Sequence, residues 1–211
     1  ILPLSRDLLE NPAGNYLLFA TKLGLIKKTR LEEYVKINRN GKYALRFKLE
    51  GDSLVNVRCG TDDSDIVMIS STGFASRFAC RKIRPSGRVS AGVYGIKTGT
   101  RKGADGGHVV GMIATDNTET QILTITKNGM AKRSRLGTAE KIPDLDADGI
   151  QKVDKETGEL KQRTDGYRKT NPGAKGAFTM NIDQEENDEI IAARQIPNLD
   201  DNLFVLTKKG M

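Results

Sequence analysis

The residues able to do chemistry are few and scattered. One histidine, His108, and two cysteines, Cys59 and Cys80, 21 positions apart, are the whole store of imidazole and thiol. No Cys-x-x-Cys pair occurs, which excludes the usual zinc layouts. With a single histidine, no Ser/His/Asp or Cys/His relay can be assembled. Tyr16, Tyr34, Tyr43, Tyr94 and Tyr167 fall where strand or packing residues are expected. Asp144, Asp146 and Asp148 lie in DLDADG, which matches the first half of a calcium loop. The position that should carry its bidentate glutamate is Lys155, so an acidic, solvated insertion is the plainer reading. Gly103, Gly106 and Gly107 precede His108, but no helix follows, as a phosphate-cradling loop would require. A hairpin tip is expected there. The chain is therefore expected to hold no catalytic set, no metal site and no cofactor of its own.

Positive charge, in contrast, is abundant and ordered. Lysine and arginine number 34 against 27 acids, a net charge of +7. The segment 20–49 holds nine cations and two acids, 50–70 one and five, 71–104 eight and none. The sign alternates onward: 105–126 has three acids and no cation, and 127–137 has four cations and no acid. A single charge run usually marks a solvated face. Here the runs keep step with a repeat, which random surface charge would not do. LFATKLGLIKKT (18–29), VMISSTGFASRF (67–78), ILTITKNGMAKRS (122–134) and LFVLTKKGM (203–211) share one plan: an apolar run, a polar turn, a glycine, a basic cluster. Phosphate contacts are expected from the cations after each glycine or in the loop beyond: Lys27, Lys28, Arg30, Arg77, Arg81, Lys82, Arg84, Arg88, Lys132, Arg133 and Arg135.

The elements that must position these cations follow from the same repeat. Gly24, Gly73, Gly129 and Gly210 are spaced by 49, 56 and 81 residues, in the range of propeller-like arrays in which each unit is one small sheet. Each glycine supplies the positive φ of a tight hairpin turn. A second half follows in each unit: NGKYALRFKLEGDSLVNV (40–57), GRVSAGVYGIK with GGHVVGMIA (87–114), and NPGAKGAFTMNI with NDEIIAAR (171–194). Tyr43, Leu45, Phe47 and Leu49 alternate with Arg46 and Lys48 on the opposite face, the period of a strand. No helical period is sustained. The expectation is one all-β domain over residues 1–211, with about four four-stranded antiparallel blades, incomplete at both ends. Residues 138–166, with eight acids and five cations, read as a polar, acidic, flexible insertion, either a flexible hairpin or a disordered loop.

Composition narrows the partner. Tryptophan is absent and aromatics are 5%, too few for the stacking platforms that hold single strands. No recognition helix for the major groove is visible. What remains is phosphate-backbone binding of duplex DNA, helped by bending it around a basic perimeter. No apolar run approaches the roughly 18 residues of a membrane helix, and no signal peptide is visible, so no membrane partner and a cytoplasmic, reducing setting are expected. A platform docking an acidic protein is the rival from another class.

The residues 15–137, with the phrase formed by Gly87, Arg88, Gly92, Val93, Gly95 and Ile96, closely resemble the C-terminal domain of the bacterial DNA gyrase A subunit; residues 168–211 resemble it more loosely. The topoisomerase IV A-type subunit is the near relative. The resemblance implies a β-pinwheel whose rim wraps DNA, presenting it for ATP-dependent negative supercoiling by a type IIA topoisomerase. It further implies an A-subunit dimer, a gyrase B-type partner, and ATP and Mg²⁺ in the parent enzyme, with cleavage and ATP hydrolysis outside this segment. The chain reads as a fragment of a longer protein. The glycine-rich basic box of gyrase-type domains is absent, and RKGADGG (101–107) stands in the wrong place for it. Gyrase and topoisomerase IV therefore remain alternatives at this point.

Overall fold

The computed structural model of the chain describes residues 2–36, 38–98, 106–182 and 188–196. A short helix, α1 (Arg6–Glu10), leads into the hairpin β1 (Tyr16–Thr21) and β2 (Leu25–Arg30). After α2 (Glu32–Val35) come β3 (Leu54–Gly60) and a second hairpin, β4 (Asp65–Ser70) and β5 (Phe74–Ala79). Then follow β6 (Val93–Tyr94), β7 (Val109–Thr115) and the third hairpin, β8 (Gln121–Thr126) and β9 (Ala131–Arg135). The chain goes on through β10 (Lys141–Pro143), β11 (Gln162–Thr164), β12 (Ala177–Phe178) and β13 (Ile190–Ile196). The all-β reading holds. The hairpin glycines Gly24, Gly73 and Gly129 have φ of 94°, 89° and 92°, as their turns demand. The fourth copy, with Gly210, lies outside the described residues.

The sheets are ordered β3-β1-β2-β6, β12-β5-β4-β7 and β13-β8-β9, all antiparallel. One expectation needs correcting: a sequence unit is not one sheet. The strand β6 belongs to the second unit but pairs with β2 of the first, Val93 opposite Ile26 and Tyr94 opposite Leu25. Likewise β12 belongs to the third unit but pairs with β5 of the second, Ala177 opposite Ala75 and Phe178 opposite Phe74. The second and third units thus each make a hairpin, cross to the outer edge of the preceding sheet, and return as the innermost strand of their own. The innermost strands β3, β7 and β13 pack in succession, which places the crossing segments at the periphery.

Strand alternation builds the core between the sheets. Every residue of β4 is buried, because the second sheet is sandwiched between the other two. Ile66 and Met68 pack with Leu18 and Ile26 of the first sheet, whereas Val67 and Ile69 pack with Ile122 and Ile190 of the third. The far face of the first sheet, Leu17 and Phe19, is covered by Leu8 of α1, Tyr34 of α2 and Leu45.

The strand expected over 43–49 does not form. No strand is assigned to residues 41–48, and Tyr43 is 82% exposed. In the other units this segment is an outer strand laid on the preceding hairpin; among the described residues no hairpin stands beside it. The insertion 138–166 takes the hairpin form. Its stem is β10 on β11, and it branches into two tight turns tied by Leu145 to Gln151 and Val153 to Leu160.

Candidate nucleic-acid interface

The expected cations divide into two groups. Lys27, Lys28 and Arg77 are at most 1% exposed and cannot meet a phosphate; that expectation is corrected. All three lie inside strands packed on both sides, and each spends its donors on protein oxygens. The Lys27 amine donates to the carbonyl of Ala44, 2.6 Å away, and to that of Arg88. Burial pushes its pKa down to about 8. The Lys28 amine pairs with Asp62, lies 3.9 Å over the Tyr16 ring, and reaches the Cys80 carbonyl. That contact holds the Asp62 carboxyl below its ordinary value. Arg77 donates Nε and Nη2 to Asp65 and Nη1 to the carbonyls of Leu136, Gly137 and Tyr167, each 2.9 Å away.

These buried cations obey a rule. Lys28 and Arg77 each stand four residues past a repeat glycine. Each reaches a carbonyl seven past the next repeat glycine, Cys80 and Leu136 respectively. They clamp one unit to the following one. Arg133 holds the same position after Gly129 and is exposed, and its side chain makes no hydrogen bond or ion pair among the described residues.

The second group lies at the periphery. Arg30 ends β2 and is exposed, and Arg81, Lys82 and Arg84 are exposed where the chain leaves β5 for the first sheet's outer edge. Arg88, on the same crossing, is half-buried and 3.7 Å from Glu33. Backbone bonds fasten the crossing to its host, Ser86 N to Lys28 O and Gly95 N to Gly24 O, both 2.8 Å. Lys82 bonds the Thr170 carbonyl and Asn171, joining this crossing to the next one. That next crossing carries exposed Arg168 and Lys169, which were absent from the expected set although the cation excess of 167–180 signalled them. Lys132, Arg133 and Arg135 are exposed on β9.

The acids are less segregated than the alternating charge suggests. Asp63 lies 4.0 Å from Arg81, and Glu119 lies 2.5 Å from Arg135, which is also 3.7 Å from Asp165. Arg135 is therefore partly neutralised, while Arg30, Arg84 and Arg133 keep their charge unpaired among the described residues.

Other chemistry is spoken for. Asp146, in the calcium-like stretch, caps its own turn by accepting from the amides of Asp148 and Ile150. Asp144 pairs with Lys152 at 3.1 Å. Cys59 and Cys80 are both unpaired thiols, raised in pKa by burial. The Tyr16 hydroxyl bonds Asp62, and that of Tyr167 bonds Thr179. Of the glycine-rich loop, 99–105 lie outside the described residues, and His108 immediately precedes the return strand β7, with its amide on Ser71 Oγ. No helix among the described residues is long and apolar enough to cross a membrane.

Three stacked sheets that exchange their outer strands, with cations on the exchanged crossings, define a radial β-repeat module with a basic rim. The chain belongs to the family described as DNA gyrase C-terminal domain, beta-propeller, whose model matches residues 15–60, 64–116, 120–142 and 160–197. Residues 143–159, the branched tip of the insertion, lie outside that match. The DNA gyrase A subunit of Staphylococcus epidermidis is 32% identical over 198 residues, 93% of this chain but 18% of the relative. The Staphylococcus aureus (strain MRSA252) protein of the same name is 31% identical over the same shares. The chain thus spans under a fifth of these relatives. In fold, it is similar to the C-terminal domain of DNA topoisomerase IV, with a TM-score of 0.54 and 22% identity over 87% of this chain and 62% of that one. It is also similar to the E. coli ParC C-terminal domain, with a TM-score of 0.57 and 14% identity over 88% and 63%.

Proposed function

We propose that this chain is the DNA-wrapping module of a type IIA topoisomerase of the gyrase A type. The observation that carries the reading is the placement of exposed Arg81, Lys82, Arg84 and Arg168 on the crossings that run along the sheets' outer edges. Family membership gives the same reading its context. A duplex laid on this rim meets guanidinium and ammonium groups at a recurring structural position and, among the described residues, no base-reading helix, so its backbone is held without sequence readout. Bending the duplex over successive units exchanges elastic cost for further phosphate contacts. The module contributes positioning; cleavage, ATP and Mg²⁺ belong to the parent enzyme, an A-subunit dimer with a B-type partner, in the bacterial cytoplasm at the nucleoid.

The test is topological. The chain is bound to nicked circular plasmid, the nick is sealed, the protein is stripped, and linking number is read. A shift proportional to bound protein supports chiral wrapping, and its sign separates gyrase-like from topoisomerase IV-like geometry. Binding without a shift refutes wrapping, and absence of binding refutes the DNA reading altogether.

A further inference from the structure

The three units turn the same corner after their hairpins. Seven residues past Gly24, Gly73 and Gly129 stand Leu31, Cys80 and Leu136, all buried. Each accepts on its carbonyl from an amide further on: Tyr34 N to Leu31 O at 2.9 Å, Ile83 N to Cys80 O at 3.0 Å, Tyr167 N to Leu136 O at 2.9 Å. In the second and third units the crossing then resumes in step. Ser86 N and Thr170 N, each three residues past the closing amide, donate to Lys28 O and Arg77 O at 2.8 and 2.7 Å. Arg84 and Arg168, each one residue past it, are therefore equivalent, and both are exposed.

What the corner holds differs. The first unit places Glu32 and Glu33 there, the second Arg81 and Lys82, and the third the whole insertion, residues 137–166. Its neck is fixed. Arg77 Nη1 donates to the carbonyls of Gly137 and Tyr167, each 2.9 Å away. A Cβ on Gly137 or Gly166 would lie 2.5 Å or less from a carbonyl oxygen of the opposite limb, Asp165 or Leu136. The insertion thus emerges at the point where the second unit presents its exposed Arg81 and Lys82.

Its charge is graded from base to tip. Lys141, Lys161 and Arg163 lie on the stem or beside it. Residues 143–159 hold six acids and two lysines, a net of −4. Asp148, Glu156 and Glu159 are exposed, and their side chains make no hydrogen bond or ion pair among the described residues. At the neck Asp165 also draws on Arg135, 3.7 Å away.

We infer that the insertion is a charged spur that breaks the duplex track at the third unit. DNA lies over the corner of Arg81 and Lys82 and over the crossing that carries Arg168, and is lifted off the rim where residues 137–166 emerge. The spur replaces two phosphate-binding side chains with a projection whose tip repels phosphate. That repulsion reaches about 8–10 Å at moderate ionic strength and fades as salt rises. The spur so limits how much duplex one chain holds. The inference rests on the DNA reading above and adds to it where the track is interrupted.

The test compares the wild type with two variants in nuclease protection on linear duplex and in linking number on sealed plasmid. One variant replaces residues 137–166 with Arg-Lys, the second unit's corner. The other keeps the fold of the spur and carries Asp148→Asn, Glu156→Gln and Glu159→Gln. Both should protect a longer stretch and shift linking number further per bound chain. The triple variant should also bind several-fold tighter at low salt, with the gain lost at high salt. The same charge change at Glu10, Glu50 and Asp116, exposed acids outside the corners and crossings, should lengthen nothing. Unchanged protection in the triple variant overturns the inference while leaving DNA binding intact, and so does equal lengthening by the control. No binding by any of these chains refutes the DNA reading itself, and the spur's role with it.

Discussion

Arg77 decides between a cation that binds DNA and one that binds the protein. Replacing it with methionine keeps most of its bulk but removes the donors serving Asp65 and three buried carbonyls, each 2.9 Å from Nη1. Lys169, 3.2 Å from Asp65, softens the loss of charge on that side. Breaking one member out of a buried ion pair costs about 3–5 kcal/mol, and the stranded carbonyls push toward the upper end. At about 2–4 °C per kcal/mol for a chain of this size, melting should fall on the order of 10 °C. Arg77→Lys keeps the charge without the fork and should lose about half as much. Melting by circular dichroism, with DNA anisotropy across a salt series, reads both consequences. The slope of log affinity against log salt should be unchanged in either variant. Unchanged melting with a slope smaller by about 0.9 would mean that Arg77 neutralises a phosphate, and the clamp argument would be wrong.

The exposed cations should behave in the opposite way. Arg84→Glu with Arg88→Glu should weaken DNA binding and flatten the salt slope with melting within about 2 °C of the parent; a large fall in melting would make these arginines structural. Gly73→Ala should cost at least about 1–2 kcal/mol more than Gly129→Ala in urea unfolding, since both strain φ but only the first drives Cβ to 2.6 Å from a backbone oxygen. Equal losses would refute a clash between that Cβ and the Met180 carbonyl. Lys27 gives a pH signature, because its native pKa near 8 lies below the unfolded value of 10.5. Between those values the unfolded chain holds more protons, so stability rises with pH, by on the order of 1–3 kcal/mol. Lys27→Met should remove that rise, and identical pH profiles for the two proteins would count against a buried amine.

Much of this was legible in the sequence because hairpins are local. A glycine between two apolar runs declares its turn, and the placement of Gly24, Gly73 and Gly129 followed directly. Strand exchange was not legible, because Val93 and Tyr94 carry no mark saying which sheet they join. Their partners are set by packing between units rather than by spacing within one. The buried cations were misplaced for a related reason. A basic cluster after a turn reads as surface, and composition does not separate Arg77 from Arg81. The available signal was position: Arg77 lies inside the strand FASRFA, buried throughout, whereas Arg81 lies beyond its end. The same distinction separates Lys27 and Lys28, inside β2, from Arg30 at its exposed last position.

The exchange of outer strands also sets a timetable. During synthesis the first hairpin is complete once Arg30 has emerged, but its sheet still lacks an edge until Tyr94 follows. The second hairpin ends at Ala79 and waits for Phe178. Each sheet is thus finished by chain made long after its own hairpin, and the growing molecule always carries one unsealed edge at its newest end. Folding in this architecture trails translation by about one unit, and the intermediate most exposed to wrong pairing is the one still attached to the ribosome.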